Sequence, residues 1–171
     1  MLRIDLTALR KGPVATAAEI PRDGSLFQDL GFVLSEPVHL RGRLTQSGPA
    51  RYYWRAELST TITTTCRRCL TPVTVPVCAA VNVFFAEDIG SDDASVYAIP
   101  PRSTELDLSG AVREELILAL PEYVVCSEDC RGICAGCGTD LNKGACRCRP
   151  DADARWSALA ALKTARPNDG R

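Results

Sequence analysis

In 51-RYYWRAELSTTITTTCRRCLTPVTVPVCAAVNVFF-85, two strand patterns flank a short turn that carries cysteines. Residues 51–65 are dense in aromatic and β-branched side chains, which favour strands. Over residues 73–85, apolar side chains fill the odd positions, so a second strand has one buried face. Pro76 cannot donate to a sheet ladder, and its part of the strand is expected at an edge or a bulge. The sequence therefore predicts a hairpin with residues 66–72 at its tip.

The chain before this hairpin contains one more clear strand pattern. Residues 38–44 alternate between apolar and polar side chains, and Gly48-Pro49 then makes a turn. Residues 1–35 are mixed and punctuated by Gly12-Pro13, so we expect only short elements there.

After the hairpin, residues 86–104 are acidic and loop-like. A helix is predicted next, with Asp107 as its N-cap and Pro121 as its end. One stripe of this helix is apolar and consists of Leu108, Val112, Leu116 and Ala119. A second, short helix is expected near Asp153, with an apolar side formed by Trp156, Leu159 and Ala160.

Eight of the nine cysteines fall into four close pairs. Four thiolates suit tetrahedral Zn²⁺, and a two-residue spacing lets one tight turn offer two sulfur atoms to one ion. The glycines beside Cys134 and Cys137 permit positive φ, so backbone amides can hydrogen-bond the sulfur atoms. The economical arrangement has two zinc ions per chain, each held by four sulfurs. One site would use Cys134, Cys137, Cys146 and Cys148, and the other Cys66, Cys69, Cys126 and Cys130.

The sequence leaves alternatives to this pairing open. The pairs can interleave, or one site can be occupied while four thiols remain spare. Disulfides are a further alternative, although the cytoplasm keeps most thiols reduced, and an iron–sulfur site is another. Cys78 is left over in mid-strand, and we interpret it as a small buried filler.

These patterns predict an α+β fold: an antiparallel β-sheet with two short helices and a zinc-bound cysteine-rich loop. We divide the chain into four parts. Residues 1–35 form an N-terminal segment that packs on or leads into the domain, and residues 36–125 form the sheet with its helix. Residues 126–150 form the cysteine-rich loop, and residues 151–171 form a C-terminal helix and tail. We find no internal repeat.

Charge is distributed unevenly along a chain of 171 residues whose net charge is −1. A protein that coats nucleic acid by charge alone is therefore not expected. Residues 1–85 and 130–171 each carry a net +4, while residues 86–129 carry −9. The basic side chains near the cysteines either contact RNA phosphates or an acidic partner, or merely offset thiolate charge. The candidates for contact are Arg67, Arg68, Arg131, Arg147 and Arg149.

Two further features bear on location and activity. Asp5 stands where a signal peptide would have its apolar run, and no stretch approaches the ~18 apolar residues that span a bilayer, so a cytoplasmic protein without membrane contact is expected. All predicted zinc ligands are cysteines, whereas a catalytic zinc keeps an open position. His39 is the only histidine and is interpreted as a core or surface residue. A binding or scaffold role is favoured over an enzyme.

The cysteine pattern also resembles that of a known family. The YceD family, also called large ribosomal RNA subunit accumulation proteins, is similar in four stretches, and the closing helix at residues 153–159 adds a fifth. The four stretches are Cys66-Arg-Arg-Cys69-Leu70, Leu116 to Pro121, Cys126-Ser-Glu-Asp-Cys130-Arg-Gly-Ile-Cys134-Ala-Gly-Cys137-Gly-Thr-Asp-Leu141-Asn142 and Cys146-Arg-Cys148.

The resemblance implies a non-enzymatic factor needed for normal levels or processing of 23S rRNA. Its partner would be a precursor of the large ribosomal subunit, through either 23S rRNA or a ribosomal protein, and not DNA. Tyr52, Tyr53 and Trp54 would add base stacking if exposed, although strand aromatics usually pack inward. A redox-responsive zinc switch is the alternative. An iron-containing electron carrier is a third hypothesis.

Overall fold

The computed structural model describes residues 2–28, 32–87, 96–148, 155 and 159. Its strands are β1 (Arg3–Asp5), β2 (Val14–Ile20), β3 (Val33–Leu34), β4 (Val38–Gly48), β5 (Arg51–Thr65), β6 (Pro72–Ala86), β7 (Val96–Ala98) and β8 (Glu105–Asp107). The described residues hold one α-helix, α1 (Ser109–Leu118), and short 3-10 turns at Leu6–Lys11 and Ser25–Phe27. The predicted C-terminal helix lies outside the described residues, except for Arg155 and Leu159.

A mixed sheet in the order β2-β4-β5-β6-β7, with β3 added beside β5, forms the body of the molecule. The predicted β5–β6 hairpin is confirmed, and its two strands pair from Arg51↔Ala86 to Thr65↔Pro72. Two features were not predicted. β2 pairs with β4 over its whole length, although only short elements were expected before residue 36. β7 pairs with β6 in parallel, so the sheet is not purely antiparallel.

One face of the sheet is covered, and the described residues leave the other face open. Trp54 is 0% exposed on the covered face, and its Nε1 donates to Thr16 Oγ1 at 3.0 Å. The predicted helix stripe is confirmed, since Val112 and Leu116 are buried in the same core. α1 begins two residues after Asp107, whose Oδ1 accepts from the Ser109 backbone N–H, so Asp107 bonds the first turn without being the N-cap residue itself.

β6 is the strand whose alternation decides which side chains face the core. Its odd positions point inward as predicted, with Val77, Val81 and Phe85 buried. Cys78 is exposed, and the prediction of a buried filler is wrong, because an even position of β6 belongs to the open face. Pro76 lies where β6 pairs with β5 alone, which confirms the expectation of an edge.

Candidate metal centres

The hairpin-tip cluster consists of Cys66, Cys69, Cys126 and Cys130. The turn between β5 and β6 supplies the first two residues, and the segment after α1 supplies the others. The Sγ atoms of Cys66 and Cys130 are 3.8 Å apart, and those of Cys69 and Cys126 are 3.5 Å apart. All four Sγ atoms lie within 4.8 Å of one another, and only Cys126 is exposed. The three buried cysteines of this set form a small second core, with Val73 and Val125 packed against it.

Backbone amides converge on the Cys66 sulfur atom. The N–H groups of Arg68, Cys69 and Cys126 donate to it over 3.4–3.5 Å. Burial acts to raise the pKa of the Cys66 thiol, but the hydrogen bonds from Cys69, Arg68 and Cys126 outweigh it and lower the pKa to about 6. The pKa of Cys126 rises to about 12, first because its thiol bonds the Cys130 sulfur. Full ionisation of four sulfurs this close requires a cation among them.

The loop cluster consists of Cys134, Cys137, Cys146 and Cys148, whose Sγ atoms also lie within 4.8 Å of one another. Cys134 and Cys146 are half-buried, and Cys137 and Cys148 are exposed. Thr139 hydrogen-bonds Cys137 and is the first cause that lowers the pKa of Cys137 to about 6. The pKa of Cys148 rises to about 12, first through its bond to Cys137. This set thus repeats the arrangement of the first in a more open setting.

The two Cys-x-x-Cys turns, which we call the knuckles, have the same hydrogen bonds. In the first knuckle (residues 66–71), Cys66 N–H donates to Thr71 O at 2.8 Å, and Leu70 N–H donates to Cys66 O at 3.0 Å. In the second (residues 134–139), the equivalent distances are 2.9 and 2.8 Å. The second cysteine of each knuckle contacts a threonine hydroxyl, at 3.0 and 3.1 Å. The chain therefore uses one six-residue turn twice, which was not predicted from the sequence.

The knuckles share a conformational requirement at their fifth position. Leu70 has φ +61° in the first, and Gly138 has φ +71° in the second. Both turn the backbone so that the next residue can approach the cysteine sulfur. The shared pattern Cys-x-x-Cys-x-Thr, visible at 66–71 and 134–139, is the sequence feature that would have revealed the repeat.

The loop cluster docks on the hairpin-tip cluster through two contacts. Gly132 is buried with φ +74°, and a Cβ atom there would lie 3.0 Å from Arg68 O, which accepts from the Ile133 N–H. Asn142 Nδ2 donates to the Cys130 sulfur at 3.5 Å, while Asn142 Oδ1 accepts from the Arg131 N–H at 2.8 Å. Neither Gly132 nor Asn142 was predicted from the sequence to be a site residue.

The sequence around the two clusters matches a known family. The model described as "Large ribosomal RNA subunit accumulation protein YceD" matches residues 54–163, more than half of the chain. The chain belongs to the YceD family. The match takes in both knuckles and all eight clustered cysteines of this YceD-family chain.

Curated relatives of the YceD-family chain come from plants and mycobacteria. "Large ribosomal RNA subunit accumulation protein YCED homolog 1, chloroplastic" of Arabidopsis thaliana is 34% identical over 65 residues, which are 37% of this chain and 20% of that protein. An uncharacterized protein of Mycobacterium tuberculosis is 31% identical over 100 residues, or 57% and 48% of the two chains. The chain thus spans about a fifth to a half of these relatives. No solved structure matches.

The chemistry of the donor sets fits zinc in both clusters of the YceD-family chain. Four sulfur donors gathered from two turns, with amide N–H groups directed at the sulfur atoms, are typical of structural zinc sites. Cys78 belongs to neither cluster, and His39 is exposed on β4. Within the described ranges, no helix has the length and apolar character needed to cross a bilayer.

The predicted contact arginines differ in what their side chains do. Arg67 donates to Glu122 O at 3.4 Å, and Arg68 donates to Glu128 O and Cys130 O at 3.0 and 3.1 Å. Both therefore bind the backbone of residues 122–130, although they remain exposed. The side chains of Arg131 and Arg147 are exposed and make no hydrogen bond or ion pair with the described part of the YceD-family chain. Arg149 lies outside the described residues.

Proposed function

We propose that the protein is a non-enzymatic factor, stabilised by two zinc ions, that supports accumulation or processing of 23S rRNA in the large ribosomal subunit. The observation that carries this proposal is the pair of closed four-sulfur clusters in a chain of the YceD family. A site whose four positions are all cysteine leaves no place for a reactive water, so its metal holds structure. We place the protein in a reducing compartment such as the bacterial cytoplasm, where clustered thiols serve as ligands.

The proposed partner is a precursor of the large ribosomal subunit. The plant relatives carry large ribosomal RNA subunit accumulation in their names. Arg131 and Arg147 support contact with phosphate or an acidic partner, because their guanidinium groups are exposed beside the clusters and free of carboxylate partners among the described residues. Arg67 and Arg68 are poorer probes than the sequence indicated, because their substitution also releases the backbone of residues 122–130.

The test is genetic and uses a charge-matched control. Cells lacking the gene should show reduced 23S rRNA relative to small-subunit rRNA, and the wild-type gene should restore it. Arg131→Gln with Arg147→Gln should keep zinc content but weaken co-sedimentation with large-subunit precursors. Arg10→Gln with Lys11→Gln removes the same charge from the 3-10 turn Leu6–Lys11, whose leucines pack into the core, and should behave as wild type. Normal 23S rRNA in the deletion strain would reject the proposed function.

The exposure of the loop cluster favours one second candidate, a redox-responsive zinc switch. Cys137 and Cys148 are exposed, so an oxidant can reach their sulfur atoms more easily than those of the buried first cluster. In this role, mild peroxide would release one zinc ion and form one disulfide. Retention of both zinc ions under peroxide that oxidises ordinary exposed thiols would exclude the switch.

A further inference from the structure

The open face of the sheet carries arginine and aromatic side chains that no part of the described chain covers. β4, β5 and β6 present this face, and its members are exposed or half-buried. We define the open face by His39, Arg41, Arg43, Arg51, Tyr53, Arg55, Glu57, Ser59, Cys78, Ala80, Asn82 and Phe84. The opposite face of the same strands is the hydrophobic core, so the alternation of each strand forces these side chains outward.

Two arginines on this face are placed directly against each other. The register pairs Arg43 of β4 with Arg55 of β5, and Arg41 is on the same side of β4. Like charges directly opposite on neighbouring strands destabilise a sheet. Among the described residues, no ion pair relieves this repulsion, since the cations that pair with carboxylates there are Arg3 and Lys143. The arrangement stores an unfavourable interaction that a bound anion would remove.

The surroundings of these arginines leave them accessible. On β2, Ala15 is paired with Arg43, and Ala17 is paired with Arg41, so small side chains flank the guanidinium groups. A shallow hollow lies between them, lined by Arg41, Gly42, Arg43, Thr45, Tyr53, Arg55, Ala56 and Glu57. Glu57 is the one carboxylate of this lining, and it forms no ion pair with Arg41, its partner in the register.

An aromatic pair borders the arginines. Tyr53 and Phe84 are directly opposite in the register, with ring centroids 4.8 Å apart and planes at 36°. The Tyr53 hydroxyl donates to Asn82 Oδ1 at 2.8 Å, which holds the ring in place. The Arg51 guanidinium lies 5.1 Å from the Phe84 ring centre. Flat rings held on an exposed sheet provide a surface on which bases can stack.

We propose that the open face binds single-stranded RNA, with Arg41, Arg43 and Arg55 on phosphates and Tyr53 against a base. Guanidinium groups alone would also suit an acidic protein, but the adjacent aromatic pair favours a ligand with both phosphates and flat bases. A duplex keeps its base faces stacked inside, so the ligand is single-stranded. The choice of RNA over DNA rests on the proposed function. The open face is a contact surface separate from the cysteine clusters.

The experiment measures binding of a fluorescein-labelled, single-stranded 12-nucleotide RNA to the purified zinc-loaded chain by fluorescence anisotropy. Arg43→Gln with Arg55→Gln should weaken binding at least about tenfold and reduce the slope of log K against log salt by about 1.4. Because the substitution removes a repulsion, its melting temperature should stay level or rise. The Arg43→Lys, Arg55→Lys pair keeps the charge and should recover most of the affinity. The Arg10→Gln, Lys11→Gln pair should bind as wild type.

A second pair of variants isolates stacking. Tyr53→Phe keeps the ring and loses only the hydrogen bond to Asn82, so it should retain most of the affinity, whereas Tyr53→Leu should lose roughly 5- to 150-fold in affinity.

Three results would overturn the proposal: wild-type affinity in the Gln pair, equal loss in the Arg10 and Lys11 control, or competition by polyglutamate as strong as by RNA. The last result would assign the face to an acidic protein. None of these three results contradicts the proposed function, because that function is tested separately by 23S rRNA levels in the deletion strain.

Discussion

The two cysteine clusters are built on the same turn but differ in what surrounds them. The hairpin-tip cluster is buried at the end of the β5–β6 hairpin and draws its ligands from distant segments, since Cys66 and Cys130 are 64 residues apart. The loop cluster takes all four cysteines from residues 134–148, and two of them are exposed. The same Cys-x-x-Cys turn can therefore serve two structural purposes. A metal in the first cluster would fix the tertiary structure, and a metal in the second would fix a loop.

The largest expected effect separates the two clusters by stability. Cys66→Ser should cost about 4 kcal/mol or more, which corresponds to a fall in melting temperature of roughly 10 °C, because it opens a long-range crosslink and leaves buried thiols without a metal. Cys146→Ser should lower the melting temperature by less than about 5 °C, because its loss loosens one loop. Calorimetry of both zinc-loaded variants checks the order. Equal falls, or the reverse order, would contradict the division into tertiary and local sites.

The next effect concerns the contact between the clusters. Gly132→Ala should cost about 2 kcal/mol, since a side chain at φ +74° is strained and its Cβ would press against Arg68 O at 3.0 Å. Gly144→Ala is the matched control, because nothing lies within 4 Å of a Cβ atom there and its φ is not in the left-handed region. Urea unfolding of the two variants gives the comparison. If Gly132→Ala is as stable as Gly144→Ala, the two clusters do not depend on this contact.

A smaller effect is expected from the side chain that links the clusters. Asn142→Ala removes the hydrogen bonds to the Cys130 sulfur and from the Arg131 N–H, and it should cost about 1 kcal/mol. Lys143→Ala changes only an exposed ion pair with Asp140 at 3.8 Å and should cost a few tenths of a kcal/mol at most. Hydrogen exchange of the Arg131 amide should rise in the first variant alone. No change in that amide would show that Asn142 does not join the clusters.

Exchanging the fifth residues of the two knuckles should give one modest effect and one close to zero. Gly138→Leu places a side chain at φ +71° and should cost about 1 kcal/mol. Leu70→Gly relieves the same strain at φ +61°, but it also frees the unfolded chain, so its net effect should lie within about 0.5 kcal/mol of zero. Denaturant melts distinguish these outcomes. A large loss in Leu70→Gly would mean that the exposed Leu70 side chain makes a contact outside the knuckle.

The features that depend on the alternation of apolar residues and on cysteine spacing were predicted well from the sequence. The β5–β6 hairpin follows from a period of two over many residues, and the two groups of four cysteines are those that their spacing favoured, although the spacing also left an interleaved arrangement open. The strand β2 was missed because Val14–Ile20 includes three alanines and a glutamate, which are poor strand formers, and its pairing with β4 stabilises it instead. Strand propensity is a local property of the sequence, so it gives no information about the pairing of β2 with β4.

Other misses have equally specific causes. Cys78 was interpreted as buried because cysteine usually is, although its even position on β6 already assigned it to the open face. Arg67 and Arg68 were candidates for contact with RNA or an acidic partner, but the backbone of residues 122–130 lies beside the hairpin tip and supplies carbonyl acceptors for both. Such tertiary partners are set by the chain's path, which local sequence does not reveal.

Native mass spectrometry and elemental analysis of the intact, anaerobically purified chain measure directly whether both clusters hold zinc. Two closed four-cysteine clusters predict two zinc ions per chain. A mild chelator should remove one ion quickly from the exposed loop cluster and the other slowly from the buried hairpin-tip cluster. A single zinc ion per chain, iron in place of zinc, or no metal at all would contradict the account.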